Sequence, residues 1–242
     1  MEALVRDGFL EMRGLVDPGR AGILAETVSR LAEGESGDPA AEVLPGENIY
    51  IRFLLDKDVS FHPLLMLEPP LSLARSVLGP QVWIDLDARM TYPKAAGYAV
   101  PWHIHMPVVP QPAPVFFCYP HQIHCLIYLD PVGTQEGVLC LIPGSHTAAD
   151  FTIPPGDHTD RAGQVELRFA PGDAVLLHGN LWHRVRAATA AAGPRRLLLL
   201  GYVPSWIRAD TERGVKASRP LTETLRRTAD RETRELLGEF SW

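Results

Sequence analysis

From residue 81 onward the chain changes period. Short β-like runs at 82–92, 98–105, 123–129, 136–142, 165–170, 173–178, 182–187 and 196–203 are separated by Pro-Gly, Gly-Asp and similar turn residues. Strands in such close succession argue against alternating β and α units. They predict a mainly β fold, a sandwich or barrel, over residues 81–208. The flanks read differently. Residues 1–80 predict an opening strand over Gly8–Leu15, then a helix capped by Asp17-Pro18 with Ile23, Leu24, Val28 and Leu31 at helical spacing and Gly34 as its stop. A strand over Asn48–Leu55 and a helical stretch over His62–Leu78, broken at Pro69-Pro70, follow. Residues 209–242 predict one closing helix from Pro220 to Gly238, with Leu221, Leu225, Leu236 and Leu237 as its buried stripe.

Composition narrows the class. With 242 residues, 46% of them hydrophobic, the chain suffices for one domain (1–242) with a sizeable core. The 22 prolines and 20 glycines are spread along it, as turns between many short elements require. A net charge of −6 without a lysine/arginine stripe argues against nucleic-acid partners. No apolar run approaches the ~18 residues of a membrane span, and the N-terminus lacks the basic-then-apolar pattern of a secretory leader. Cys118, Cys125 and Cys140 are odd in number and form no C-x-x-C pair, so they read as free thiols in a reducing compartment. The expected location is cytoplasmic.

The chemistry concentrates at His103-Ile104-His105. On a strand these two imidazoles share a face, roughly 6.5–7 Å apart at the backbone, and can converge on one metal ion. His183 is the candidate third ligand. A ligand from that remote strand would close one face of an octahedron and leave the opposite face open, the geometry a non-haem iron oxygenase needs.

An ordered set of motifs then resembles the phytanoyl-CoA dioxygenase family within the iron(II)/2-oxoglutarate-dependent oxygenases. It comprises Gly8-Phe9-Leu10 through Gly14-Leu15, Trp102-His103-Ile104-His105, Leu126–Asp130, Glu136–His146 with its Pro143-Gly144-Ser145-His146 turn, Pro171-Gly172-Asp173, His183 and Arg195-Arg196. The resemblance implies a double-stranded β-helix, a jelly-roll or cupin-like barrel with the metal at its open end. It implies Fe(II) held by residues 103, 105 and 183, and 2-oxoglutarate as co-substrate with its far carboxylate on Arg195. A guanidinium suits that task because it binds carboxylate bidentately. Arg196 faces the other side of the strand. Two positions depart from the family pattern: His105 stands where it has aspartate, and Val185 where members often carry a serine that helps hold the co-substrate.

The implied activity is that of a dioxygenase that uses O2 and 2-oxoglutarate to oxidise, by default hydroxylate, a small organic molecule, with secondary metabolites in view. Halogenation is disfavoured because His105 fills the space a halide would need. Two rivals stay open. One is a three-histidine, cupin-type dioxygenase or isomerase that uses no 2-oxoglutarate; the other is a non-catalytic β-helix binding protein. Of the remaining histidines, His146 and His178 read as structural, while His121 and His124 could line the substrate mouth. Asp85 and Asp87 share a strand face but have no family reason to reach the metal. Trp102, Met106, Phe116, Phe117 and Trp182 read as core or pocket wall, and substrate contacts are expected from loops 36–47, 106–122 and 147–164.

Overall fold

Two antiparallel sheets stack against each other, with helices packed on the outer face of the larger one. The computed structural model describes residues 1–37, 42–44, 48–93, 96–105, 120–148, 150–207 and 220–240. In chain order, α1 (Glu2–Asp7) leads into β1 (Phe9–Met12), α2 (Pro18–Glu35), β2 (Glu42–Leu44), β3 (Asn48–Ile51) and α3 (Leu54–Lys57). A 3-10 segment, Val59–Met66, precedes α4 (Pro70–Leu78). Eight strands follow: β4 (Val82–Thr91), β5 (Val100–His103), β6 (Ile123–Tyr128), β7 (Leu139–Leu141), β8 (Val165–Leu167), β9 (Ala174–His178), β10 (His183–Val185) and β11 (Arg195–Pro204). The last described elements are α5 (Pro220–Thr228) and α6 (Arg231–Leu236).

The larger sheet has the order β1-β9-β6-β11-β4-β3-β2, and the smaller β5-β10-β7-β8. Each strand expected after residue 81 therefore exists. The barrel needs correcting: among the described residues the strands form two open sheets rather than one closed ring, because β5, β10, β7 and β8 pair only among themselves.

Strand β11 shows why the larger sheet looks so uniformly apolar. Leu198, Leu200 and Tyr202 join the core shared with Leu24 and Val28 of α2, Leu71 and Ala74 of α4 and Leu236 of α6. Leu197, on the opposite face, packs with Leu126, Tyr128 and Val175 of its own sheet and Leu139, Leu141 and Leu167 of the smaller one. A strand buried on both faces loses its polar alternation, and each buried leucine contributes about 1.5–3 kcal/mol. The Pro171-Gly172-Asp173 turn locks the edge of this sheet. Gly172 adopts φ +88°, and a Cβ there would collide with the Val16 carbonyl oxygen. The Asp173 carboxylate accepts from Gly14 N (2.8 Å), Ala170 N (2.8 Å) and Arg13 (2.9 Å).

Several flank expectations change. Helix α1 was not anticipated, and α2 runs through Gly34 to Glu35 with Ile23 outside, 61% exposed. The strand expected over Asn48–Leu55 stops at Ile51, because Phe53 turns to φ 58° and starts α3. The closing helix is two helices. Asp230 breaks it by leaving helical geometry, its carboxylate accepting from Thr233 N (2.8 Å) to cap α6. No helix of the described residues is long and apolar enough to cross a membrane.

Candidate metal and anion site

His103 ends β5 and His183 begins β10, and the two are cross-strand partners in the smaller sheet. The Pro143-Gly144-Ser145-His146 turn fixes where β10 starts: Trp182 N donates to Ser145 Oγ (3.0 Å), and Ile142 N to Trp182 O (3.0 Å). His146 belongs to this framework, its Nε2 lying 3.0 Å from the Val5 carbonyl oxygen. His105 lies two residues beyond the end of β5, so the strand is shorter than expected. A hydrogen bond from its backbone N to Gly179 O (2.8 Å) keeps it aligned.

The three rings converge. Centroids are 4.1 Å apart for His103–His183, 4.4 Å for His105–His183 and 5.4 Å for His103–His105. The Nε2 atoms of His105 and His183 are 3.0 Å apart, the separation of two ligands at right angles on one ion with bonds of about 2.1 Å. Each residue offers a nitrogen within 4.8 Å of the others, the single group of three metal-ligating side chains so placed among the described residues.

Their protonation suits ligation. His103 Nδ1 lies 2.9 Å from Pro101 O and His183 Nδ1 2.8 Å from Leu181 O. A carbonyl oxygen only accepts, so Nδ1 carries the proton and the Nε2 lone pair faces its neighbours. Burial lowers all three imidazoles from their ordinary value, His105 and His183 well below it, and the positive charge of Arg89 pushes the same way. They are neutral donors. His105 differs in having no partner for Nδ1; its ring packs instead against His124, with centroids 4.0 Å apart.

Across from this group, Arg195 starts β11 opposite Thr91 and is 3% exposed. Its guanidinium carbon is 5.7 Å from the Tyr128 ring centroid, its Nε has no hydrogen-bond partner, and no carboxylate of the described residues pairs with it. Arg196 points the other way. It donates from Nε to Asp130 (2.8 Å) and from Nη1 to Ala25 O (3.2 Å) and Ser29 Oγ (3.0 Å), clamping α2 to the sheet.

Sequence reasoning missed Arg89 and Tyr98. Arg89 Nη1 donates to the Tyr98 hydroxyl (3.3 Å), and Tyr98 packs on Val185, two residues past His183. The available signal was Asp85, Asp87 and Arg89 at alternate positions of an otherwise apolar strand, which places three charged groups on one face. Asp87 is occupied elsewhere, accepting from Phe53 N (2.8 Å) and facing Arg52 (3.5 Å). Burial, with Asp85 adding to it, pushes its carboxyl up to about 7. His124 joins the histidine group from β6, whereas His121 is buried just before that strand. His178 Nδ1 accepts from Asn180 N (3.1 Å). Trp102 and Trp182 are core, and their indole N–H groups donate to Thr159 O (2.8 Å) and Phe151 O (3.2 Å). Met106, Phe116, Phe117 and Cys118, with most of the expected 36–47 and 106–122 loops, lie outside the described residues.

Comparisons with known proteins agree with this architecture. A curated relative, Dioxygenase af480 of Aspergillus fumigatus, is 26% identical over 179 residues, covering 74% of this chain. The chain spans 56% of that relative's length. Among solved structures, HygX from Streptomyces hygroscopicus with nickel and 2-oxoglutarate bound superposes with TM-score 0.67 at 18% identity, covering 84% of this chain and 85% of its own. The non-heme alpha ketoglutarate dependent epimerase SnoN from nogalamycin biosynthesis gives TM-score 0.63 at 20% identity, covering 84% and 79%. At such identities the structural likeness establishes the fold. The family described as phytanoyl-CoA dioxygenase (PhyH) matches residues 4–197, and the chain belongs to it.

Proposed function

We propose that this protein is an iron(II)- and 2-oxoglutarate-dependent oxygenase acting on a small organic molecule. His103, His105 and His183 are its metal ligands, and Arg195 takes the far carboxylate of the co-substrate. The observation that carries this reading is a pairing of opposites. Three neutral imidazoles converge on one point, while a buried guanidinium across the fold lies against the Tyr128 ring and pairs with no carboxylate of the described residues. Such a guanidinium is costly to bury alone, so the fold is complete only when an anion meets it.

The donor set fits a divalent first-row metal through nitrogen, with Nδ1 of His103 and His183 fixed by carbonyl oxygens. When bound, iron(II) supplies the coupling of O2 reduction to oxidative decarboxylation of 2-oxoglutarate, giving succinate and carbon dioxide. The protein's part is to hold and orient. Arg195 offers a bidentate fork to a carboxylate, the smaller sheet aligns the ligand imidazoles, and the apolar wall around Leu197 and Tyr128 keeps water away. With His105 in place of a carboxylate, the site carries one negative charge fewer, which strengthens its pull on a dianion.

A small-molecule substrate is supported by two fold relatives, HygX with hygromycin B bound and SnoN in complex with nogalamycin RO. Hydroxylation is the proposed outcome. The same reading takes 1–242 as one domain, and a cytoplasmic location is supported by the free buried thiols of Cys125 and Cys140.

Anaerobic titration tests it. Iron(II) followed by 2-oxoglutarate should produce a visible charge-transfer band. Iron binding without that band would favour a three-histidine, cupin-type enzyme, which shares this donor set. Failure to bind iron would leave a non-catalytic binding protein. Succinate release across candidate small molecules then identifies the substrate.

A further inference from the structure

The oxygenase reading leaves one guanidinium of the site without a task. Arg89 lies on β4 opposite Leu197 of β11, and Arg195 lies opposite Thr91. The two arginines are therefore diagonal neighbours on one face of the larger sheet, about 7–8 Å apart at their bases. A five-carbon dicarboxylate can bridge that spacing. Arg89 is held between two phenols, its Nη1 donating to Tyr98 (3.3 Å) and its guanidinium carbon 5.4 Å from the Tyr50 ring centroid. Its Nε is buried without a partner, and no carboxylate of the described residues pairs with it.

Position separates the roles of the two arginines. Tyr98, which Arg89 touches, packs on Val185, two residues beyond His183, and precedes β5, which ends in His103. Arg89 is thus on the metal side of the pair. In keeping with this, the charge of Arg89 bears on all three imidazoles; both arginines bear on Tyr98, and Arg195 bears also on Tyr128.

We propose that Arg89 is a second anion-binding residue of this site, taking the carboxylate adjacent to the keto carbon of the co-substrate while Arg195 takes the far one. The proposal rests on the oxygenase reading. A purely structural Arg89 would only fill space between Tyr50 and Tyr98, and would not discriminate between the two ends of a ligand.

The probe is 2-oxobutyrate, which keeps the keto-acid end of 2-oxoglutarate and lacks the far carboxylate. Both acids are titrated anaerobically against the iron(II)-loaded chain, with binding read by calorimetry and by the charge-transfer band. Arg89→Leu should weaken both acids by roughly tenfold or more, the order expected when a charge-assisted hydrogen bond is lost. Arg195→Leu should weaken only 2-oxoglutarate. Arg89→Lys, which keeps the charge but loses the planar fork, should fall between wild type and Arg89→Leu. If Arg89→Leu does not fold, Arg89→Gln takes its place, with thermal melting as the check on both. Unchanged 2-oxobutyrate binding in the folded variant overturns the proposal, as does weakening confined to 2-oxoglutarate. Should the wild-type chain bind neither acid, the oxygenase reading itself fails; wild-type binding of both acids with an indifferent Arg89 sinks only the second anion site.

Discussion

Arg195 and Arg196 are adjacent and chemically identical, yet the fold completes one and leaves the other open. Arg196 faces the helices and finds Asp130, Ala25 O and Ser29 Oγ within the chain. Arg195 faces the smaller sheet and finds aromatic rings but no carboxylate among the described residues. The same contrast recurs elsewhere, with Asp173 at the edge of the larger sheet on one side of it and Arg89 and His105 on the other. Asp173 is saturated with donors, while Arg89 and His105 each keep a buried nitrogen without a partner near the proposed metal. A polar group whose partners lie in the chain stabilises the fold. One left incomplete costs stability and is paired only when a ligand arrives.

The largest expected effect lies on the open side. His183→Ala or His103→Ala should abolish stoichiometric metal binding, read by metal analysis after desalting, with circular dichroism unchanged. A full equivalent of iron retained by both variants would remove the ligand assignment. Next, Arg195→Leu should weaken 2-oxoglutarate binding by about 2–5 kcal/mol. It should leave the ligand-free chain as stable as before or more so, since a buried charge disappears. Loss of stability without loss of affinity would erase the distinction between the two arginines.

Arg196→Leu should behave the opposite way. It breaks the Asp130 pair, whose side chains are 18% and 8% exposed. The expected cost is about 2–3 kcal/mol of unfolding free energy, at or below the low end for a buried pair because Arg196 is partly exposed. Denaturant titration measures it, and 2-oxoglutarate affinity of the folded fraction should not move.

Smallest per pH unit are the effects in the pH profile of the metal-free chain, and their signs differ. Burial lowers His178 to about 3, whereas its unfolded value is about 6.5. Between these limits the unfolded chain binds a proton that the native chain refuses, so stability falls as pH drops below about 6.5. Asp87, raised to about 7, acts in reverse. It stabilises below its unfolded value of about 3.9, and that contribution is lost as pH rises through about 7. Each effect is on the order of 1 kcal/mol per pH unit. His178→Asn should flatten the acid limb and Asp87→Asn the opposing slope; a variant with an unaltered profile would mean that its group titrates alike in both states.

Local pattern made most of this legible. The eight strands beyond residue 81 could be read because their turns carry distinctive chemistry, as at Gly172, where only glycine tolerates the approach of Val16. That His103 and His183 would meet could be read because both lie within recognisable ordered motifs, and the structure brings their rings to 4.1 Å. Arg89 could not. A charged residue in a strand looks the same whether its face meets solvent or another sheet, and only the stacking of the two sheets turned that face inward. The closing helix failed for a similar reason: Leu225 and Leu237 both reach the core, but from two helices separated at Asp230.

What the sequence determined by itself is therefore the set of strands, the turn and cap residues and the candidate donors, since these depend on neighbours a few residues away. What only the tertiary structure decided is that, among the described residues, the sheets stay open, that His105 meets His183 beyond the end of its strand, and that two guanidiniums line one wall with no described carboxylate paired to either. Those outcomes depend on which faces are buried against each other, and burial is decided by contacts between residues far apart in the chain.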